Sequence, residues 1–116
     1  LYREYLLGPD TALSNAYPYS AIHLHPASFF ILDDLLNIDG LTAIQVNLDV
    51  GGPSMAEMLP YLQKILTKKP LILWGALSED DIRLVLKELP SRGLFLVLVA
   101  PTAKEARDLM SIVKGS

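Results

Sequence analysis

The amino-acid sequence predicts an α/β fold made of four consecutive β/α units. Four apolar runs have the continuous hydrophobic character of strands in a parallel sheet that is covered on both faces. Each run is followed by a segment in which apolar residues recur at the 3.6-residue period of an amphipathic helix. Because strands and helices alternate, we expect one parallel sheet with right-handed crossovers, preceded by an N-terminal arm.

The arm comprises residues 1–19, where no hydrophobic period is sustained. Gly8-Pro9 and Pro18 interrupt any helix or strand, although a short helix over residues 1–7 is compatible with the pattern. We therefore expect an irregular N-terminal arm that packs on the body of the protein through its tyrosines.

The four β/α units occupy residues 20–116, which we expect to form one domain. The predicted strands are residues 21–24, 42–48, 71–74 and 94–99, and the predicted helices are residues 29–37, 55–67, 79–89 and 103–113.

Polar residues mark where three of the helices begin. Ser54-x-x-Glu57 and Thr102-x-x-Glu105 match the capping box, and Ser78-x-x-Asp81 is close to it. In this motif the hydroxyl oxygen accepts from a free backbone N–H of the first turn. Pro60 is expected to kink the second helix or to mark a later start. The predicted stops after the four helices are Gly40, Pro70, Pro90 with Gly93, and Gly115.

The composition excludes several classes of function. The chain has 116 residues, 51% of them hydrophobic, and a net charge of −3 without a basic patch, so we expect no nucleic-acid partner. No cysteine is present, which excludes disulfides and thiolate metal sites. No apolar run approaches the roughly 18 residues of a membrane helix, so we expect no membrane partner. We expect a soluble, cytoplasmic protein.

Two architectures fit four β/α units. One is the C-terminal half of a TIM-type (β/α)8 barrel, and the alternative is a small open parallel sheet of the flavodoxin-like kind. The length favours the open sheet, because a whole barrel needs about 250 residues. The start at Leu1 instead of Met favours a fragment of a barrel.

Four stretches carry a resemblance to a known family. They are SAIHLHPASFFILDDLL, GLTAIQVNLDVGGPSMAEMLPYLQKIL, KPLILWGALSEDDI and LPSRGLFLVLVAPTAKEARDL. Their order resembles the C-terminal part of the barrel in the uroporphyrinogen decarboxylase superfamily, over about residues 20–110. The resemblance implies a half barrel and either a decarboxylase (a lyase) or a zinc-dependent methyltransferase that acts on corrinoid proteins.

The match to the methyltransferase branch is incomplete. That branch holds zinc with a His-x-Cys pair and a later Cys. His23 matches the first position, whereas His25 stands where the Cys would be, and Ala100-Pro101 supplies no ligand near the last strand. A thiolate zinc site of that type is therefore excluded. In the decarboxylase branch, the residues that grip the tetrapyrrole lie largely in the N-terminal half, which the resemblance does not cover.

The candidate site lies at the ends of the first two strands. Residues two apart in a strand point to the same face, so His23 and His25 project together. Asn47 and Asp49 end the next apolar run, and parallel strands bring these ends to one edge of the sheet. We predict His25 and Asp49 as catalytic proton-handling groups. His23, His25 and Asp49 could also hold a metal, for which zinc is the candidate. The competing interpretation is that one histidine packs while the other lines a pocket.

The substrate-binding residues are predicted to be His23, Asn47, Trp74 and Gly75. Trp74 could stack on a ring-shaped substrate, and Gly75 could make room beside it, although a tryptophan more commonly fills a core or an interface. Gly51-Gly52 could let an anion approach the next helix, or could form only a tight turn.

Two functions of different classes follow. The first is part of a uroporphyrinogen decarboxylase-like enzyme acting on a small molecule. The second is a non-catalytic α/β module for binding or assembly, which pairs with another half barrel. Because a half barrel exposes two sheet edges and an apolar interior, we expect a homo-oligomer or contact with the remainder of a longer chain.

Overall fold

A computed structural model describes residues 1–115; Ser116, the last residue of the predicted domain, lies outside the described residues. Six α-helices and four β-strands follow one another along this part of the chain. They are α1 Tyr2–Tyr5, α2 Leu7–Asn15, β1 Ala21–Leu24, α3 Leu32–Leu36, β2 Ala43–Asn47, α4 Met55–Leu66, β3 Leu71–Gly75, α5 Glu79–Glu88, β4 Leu94–Leu98 and α6 Ala103–Lys114. A 3-10 helix, Pro26–Ile31, leads into α3, so the first predicted helix is divided in two.

The four strands form one parallel sheet in the order β1-β2-β3-β4. Every strand therefore lies beside its predecessor, and the sheet grows in one direction. A flavodoxin-like sheet reverses direction after its first crossover, so that strand order is not formed, whereas a small open parallel sheet agrees with the four strands observed. The predicted class, α/β with a parallel sheet and alternating helices, is confirmed.

The helices cover one face of the sheet. Ile44 and Val46 of β2, and Leu71 and Leu73 of β3, are fully buried beneath them. The residues between these point to the opposite face and are half-buried or exposed. Our prediction of a sheet covered on both faces was wrong, because sequential right-handed crossovers all return over the same face.

The core lies between the sheet and the helices α3, α4 and α5. Its fully buried side chains include Leu32, Leu35, Ile44, Leu62, Ile65, Leu71, Leu73 and Ile82. The last helix, α6, adds a single buried residue, Leu109. The helix that follows the last strand is therefore the least covered of the four that alternate with the strands.

The N-terminal arm is largely helical, so our prediction of an irregular segment was wrong. Pro9 is tolerated because it stands in the first turn of α2, where backbone N–H groups lack helical partners in any case. The Tyr2 hydroxyl donates to Asp10 Oδ2 at 2.7 Å, and Thr11 Oγ1 donates to the Leu7 carbonyl at 2.7 Å. The first bond ties α1 to α2, the second lies within α2, and neither is visible in a hydrophobic period.

The three helix starts predicted from capping residues are confirmed. The hydroxyl of Ser54 accepts from the Glu57 N–H at 3.2 Å and donates to Glu57 Oε1 at 3.0 Å. Ser78 and Thr102 also accept from the backbone N–H three residues later. The helix α4 begins before Pro60 and continues past it, so Pro60 does not mark a later start. Within residues 1–115, no helix has the length and apolar character needed to cross a membrane.

Candidate functional site

The candidate site lies on the open face of the sheet, where β1 and β2 end. His23 lies on β1, and His25 follows the strand on the same face. Asn47 ends β2, and Asp49 lies two residues beyond it. The structure therefore brings together the four polar residues that the sequence placed at this edge.

A chain of hydrogen bonds connects these side chains. His25 Nδ1 lies 2.7 Å from Asp49 Oδ1, and His25 Nε2 lies 3.2 Å from His23 Nε2. On the far side, His23 Nδ1 lies 2.9 Å from Gln45 Oε1. Asn47 donates to the same Asp49 oxygen at a longer distance, 3.4 Å. The two imidazole rings meet edge to face, with centroids 4.9 Å apart.

Gln45 was missed by the sequence analysis. It lies on the same face of β2 as Asn47, two residues earlier, and directly opposite His23 in the strand register. The period of two along a strand is the signal that could have found it. Its amide oxygen orients the His23 ring in the way that Asp49 orients the His25 ring.

The contact with Asp49 fixes how His25 can act. A carboxylate only accepts hydrogen bonds, so His25 Nδ1 must carry a proton. The remaining nitrogen, Nε2, is then the atom that gains or loses a proton. The side chains of His25 and Asp49 are 49% and 36% exposed, so a ligand in solvent can reach the pair.

His23, His25 and Asp49 do not form a three-ligand metal site in this arrangement. Asp49 contacts Nδ1 of His25, whereas His23 contacts Nε2 on the opposite side of the same ring. Across residues 1–115, no group of three or more His, Asp or Glu side chains is placed to hold a metal ion. The two imidazoles and the absence of cysteine do not fit the thiolate zinc set of the methyltransferases.

Trp74 and Gly75 end β3, one strand further across the sheet. Trp74 lies opposite Asn47 in the register and is 42% exposed, so its ring borders the polar site. Gly75 instead allows the side chain of Leu48 to pack closely, because a Cβ at position 75 would lie 2.7 Å from Leu48 Cβ. The space that we assigned to a substrate beside Gly75 is therefore filled by Leu48.

The Gly51-Gly52 segment forms a tight turn. The Gly52 N–H donates to the Asp49 carbonyl at 3.1 Å, and Gly51 has a φ of 76°, which favours glycine. The turn leads into α4, where the Ser54 hydroxyl already takes the Glu57 N–H. The geometry fits the structural role of these glycines, that of turning the chain into a capped helix.

Comparison with known proteins identifies no relative of this chain. No protein-family model matches it, no curated protein matches it, and no solved structure matches it.

Proposed function

We propose that this chain forms the catalytic edge of a small-molecule enzyme of the uroporphyrinogen decarboxylase-like kind, in which His25 transfers a proton and Asp49 holds and charges its ring. The observation that carries the proposal is the 2.7 Å contact between His25 Nδ1 and Asp49 Oδ1. An imidazole that a carboxylate holds at one nitrogen and that transfers protons through the other is a common arrangement of a general acid or base, and here the second nitrogen of His25 lies 3.2 Å from His23 Nε2.

The proton step uses Nε2 of His25. In a decarboxylation, the bond between the substrate carbon and its carboxylate breaks, and the electron pair stays on that carbon. A proton from Nε2 of protonated His25 then takes the place of the departing CO2. Asp49 keeps its negative charge, holds the ring by its Nδ1–H, and stabilises the positive charge that the imidazole carries before the transfer.

His23 assists as a positioning residue. Its Nε2 lies 3.2 Å from Nε2 of His25, so one proton can be shared between the two rings. Its Nδ1 contacts Gln45, which limits rotation of the ring. In this proposal, His23 returns a proton to His25 after each turnover.

The open face beside the pair supports a ring-shaped substrate. Trp74 offers an exposed aromatic surface next to the amide of Asn47. Aromatic rings stack on flat substrates, while a neighbouring amide fixes their orientation. A cyclic tetrapyrrole is the substrate class that the family resemblance suggests.

The strand order supports a half barrel as the setting. Sequential parallel strands with all helices on one face are the arrangement found within a (β/α)8 barrel, and such barrels place their sites at the carboxyl ends of the strands. Between the two activities that the resemblance suggests, the chain favours the lyase, because the methyltransferase zinc set needs thiolates that are absent.

Fluorescence of Trp74 offers a test of binding, since it is the only tryptophan. Uroporphyrin III is titrated into the wild type, His25→Ala and, as a control, Arg83→Ala on the exposed side of α5. We expect quenching in the wild type and the control, and none in His25→Ala, with circular dichroism unchanged. If His25→Ala binds the porphyrin as tightly as the wild type, the non-catalytic module becomes the better description.

A further inference from the structure

The strand β4 presents a bare edge. The Gly93 carbonyl and the Val99 N–H bond to β3, so the alternating residues Phe95 and Val97 also turn their backbone groups toward that strand. The N–H and C=O groups of Leu96 therefore point away from the sheet. Natural proteins usually protect such edges with charged residues, prolines or bulges. The five residues of β4, Leu-Phe-Leu-Val-Leu, include neither a charge nor a proline.

The strand β1 forms the opposite edge of the sheet, and Leu13 and Ser14 of α2 border a cavity of about 250 Å³ beside its Ala21 and Ile22. The Ser20 carbonyl accepts from the Ala43 N–H of β2, so Ile22 and Leu24 face β2, and the backbone groups of Ala21 and His23 point outward. The sequence of this strand, Ala-Ile-His-Leu, likewise lacks aspartate, glutamate, lysine, arginine and proline.

An apolar groove of about 570 Å³ runs along the outer side of β4. Its lining includes Leu86 of α5 and Leu89 just after it, Leu96 of β4, and Met110 and Val113 of α6. In a β/α succession, a helix that follows a strand packs over that strand and its next neighbour. Since β4 ends the sheet, α6 has no following strand to pack on, and Met110 is left 45% exposed.

The open face adds further apolar surface. Phe95 is 60% exposed and Trp74 is 42% exposed, on the side without helices. Large aromatic side chains bury about 150–250 Å² each, so these two expose about 200 Å² together. That is roughly a quarter of the ~800 Å² that each partner buries in a stable interface. The two strand edges and the groove beside β4 add to the surface that a partner would bury.

We propose that a second copy of this chain closes the sheet, with β4 of each copy pairing in parallel with β1 of the other. The twofold axis then runs along the centre of an eight-stranded barrel. The outward N–H and C=O groups of Leu96 then bond to the outward backbone groups of β1 in the second copy, and the helix α6 covers the seam.

A second copy is a better partner than an unrelated strand, because each chain carries both strands of the seam, β1 and β4. Two copies pair all four edges at once and form a closed ring, as isologous dimers do. Eight strands enclose an interior that side chains can fill. The charge of −3 on each copy does not oppose the contact, since neither edge strand carries Asp, Glu, Lys or Arg. The proposal does not depend on which reaction, if any, the polar site performs.

The mass of the particle in solution tests the proposal. Light scattering should give twice the mass of one chain for the wild type and for Val50→Lys, a control in a fully exposed loop. Phe95→Lys places a charge in the closed interior, and we expect it to give monomers. Leu96→Pro should do the same without unfolding the chain, because its N–H does not face β3. Circular dichroism checks the fold of each variant.

Chemical cross-linking tests the seam itself. In the variant that carries both Ala21→Cys and Phe95→Cys, the two thiols of one chain lie three strand spacings apart, about 14 Å. The thiols of two copies are neighbours in the proposed dimer, so a short bismaleimide should join them only between copies. The expected product is a covalent dimer, whereas the single variants should give much less. A monomeric wild type, a dimer that survives both Phe95→Lys and Leu96→Pro, or a dimer that does not cross-link would overturn the proposal. Association only with a different protein would overturn it as well.

Discussion

His25 Nδ1 and Asp49 Oδ1 lie 2.7 Å apart although 24 residues separate them along the chain. The two side chains follow neighbouring parallel strands, and the sheet brings the two strand ends to the same level. The carboxylate thereby determines that Nδ1 of His25 carries a proton, which leaves Nε2, 3.2 Å from His23 Nε2, as the nitrogen that exchanges protons. The proposed chemistry depends on this pairing more than on any other contact.

The tautomer of His25 gives a first prediction. Because Asp49 accepts from Nδ1, neutral His25 should carry its proton on Nδ1 and leave Nε2 without one. Nitrogen-15 NMR of the imidazole distinguishes the two forms. In Asp49→Leu the Nε2-protonated form should become populated, whereas Asp80→Leu, at the exposed start of α5, should have no effect. A wild type that is already protonated on Nε2 would contradict the observed contact.

Tyr2 predicts a loss of stability in alkali. Burial and the hydrogen bond to Asp10 raise the pKa of Tyr2 above its ordinary value of 10.0. The folded state thus keeps a proton that the unfolded state releases above about pH 10, so the free energy of unfolding should fall as the pH rises through that range. Urea titrations at pH 8 and above pH 10 measure the change. The pH-dependent loss should be smaller in Tyr2→Phe, and an equal loss would exclude this cause.

The close packing at Gly75 predicts that a larger residue there lowers the free energy of unfolding. Gly75→Ala would place a Cβ 2.7 Å from Leu48 Cβ, at a φ of 154°. Forced overpacking of this kind costs about 1–3 kcal/mol, so the urea midpoint should fall clearly. Gly8→Ala is the control, because no atom lies within 4 Å of its new Cβ, and its effect should stay below about 1 kcal/mol. Equal effects of the two variants would show that Leu48 yields without cost.

The capping box of α4 predicts a smaller effect. Ser54→Ala removes the hydroxyl that accepts from the Glu57 N–H, which should lower the free energy of unfolding by about 1 kcal/mol. Ser91→Ala, at an exposed serine outside any helix, is the matched control and should leave stability unchanged. Denaturant unfolding distinguishes the two. A Ser54→Ala variant as stable as the control would mean that water replaces the cap.

Local patterns in the sequence predicted most of the fold. The apolar runs located all four strands, and the hydroxyls of Ser54, Ser78 and Thr102 located three helix starts. Period-two placement also brought His23, His25 and Asp49 to one edge. These features depend on neighbours within a few residues, or on the regular geometry of a parallel sheet.

The features that sequence analysis missed depend on long-range contacts. The arm is helical partly because Tyr2 reaches Asp10, and the space beside Gly75 is occupied by Leu48 of the neighbouring strand. The cover on both faces that we inferred from the continuous apolar runs was wrong, since such strands have the same pattern whether helices cover one face or two; only the half-barrel alternative included an exposed face. Phe95 and Trp74 are apolar although they lie on that open face. The apolar runs that contain them therefore look like strands that are covered on both faces.

Turnover of uroporphyrinogen III tests the central proposal most directly. Products with fewer carboxylates are measured by chromatography for the wild type, Asp49→Asn and the control Asp80→Asn. General acid–base catalysis contributes roughly 10²- to 10⁴-fold, so the rate of Asp49→Asn should fall by at least about 100-fold while the control keeps the wild-type rate. A wild type without turnover above the uncatalysed reaction, or an Asp49→Asn variant as fast as the wild type, would contradict the proposed role of His25 and Asp49.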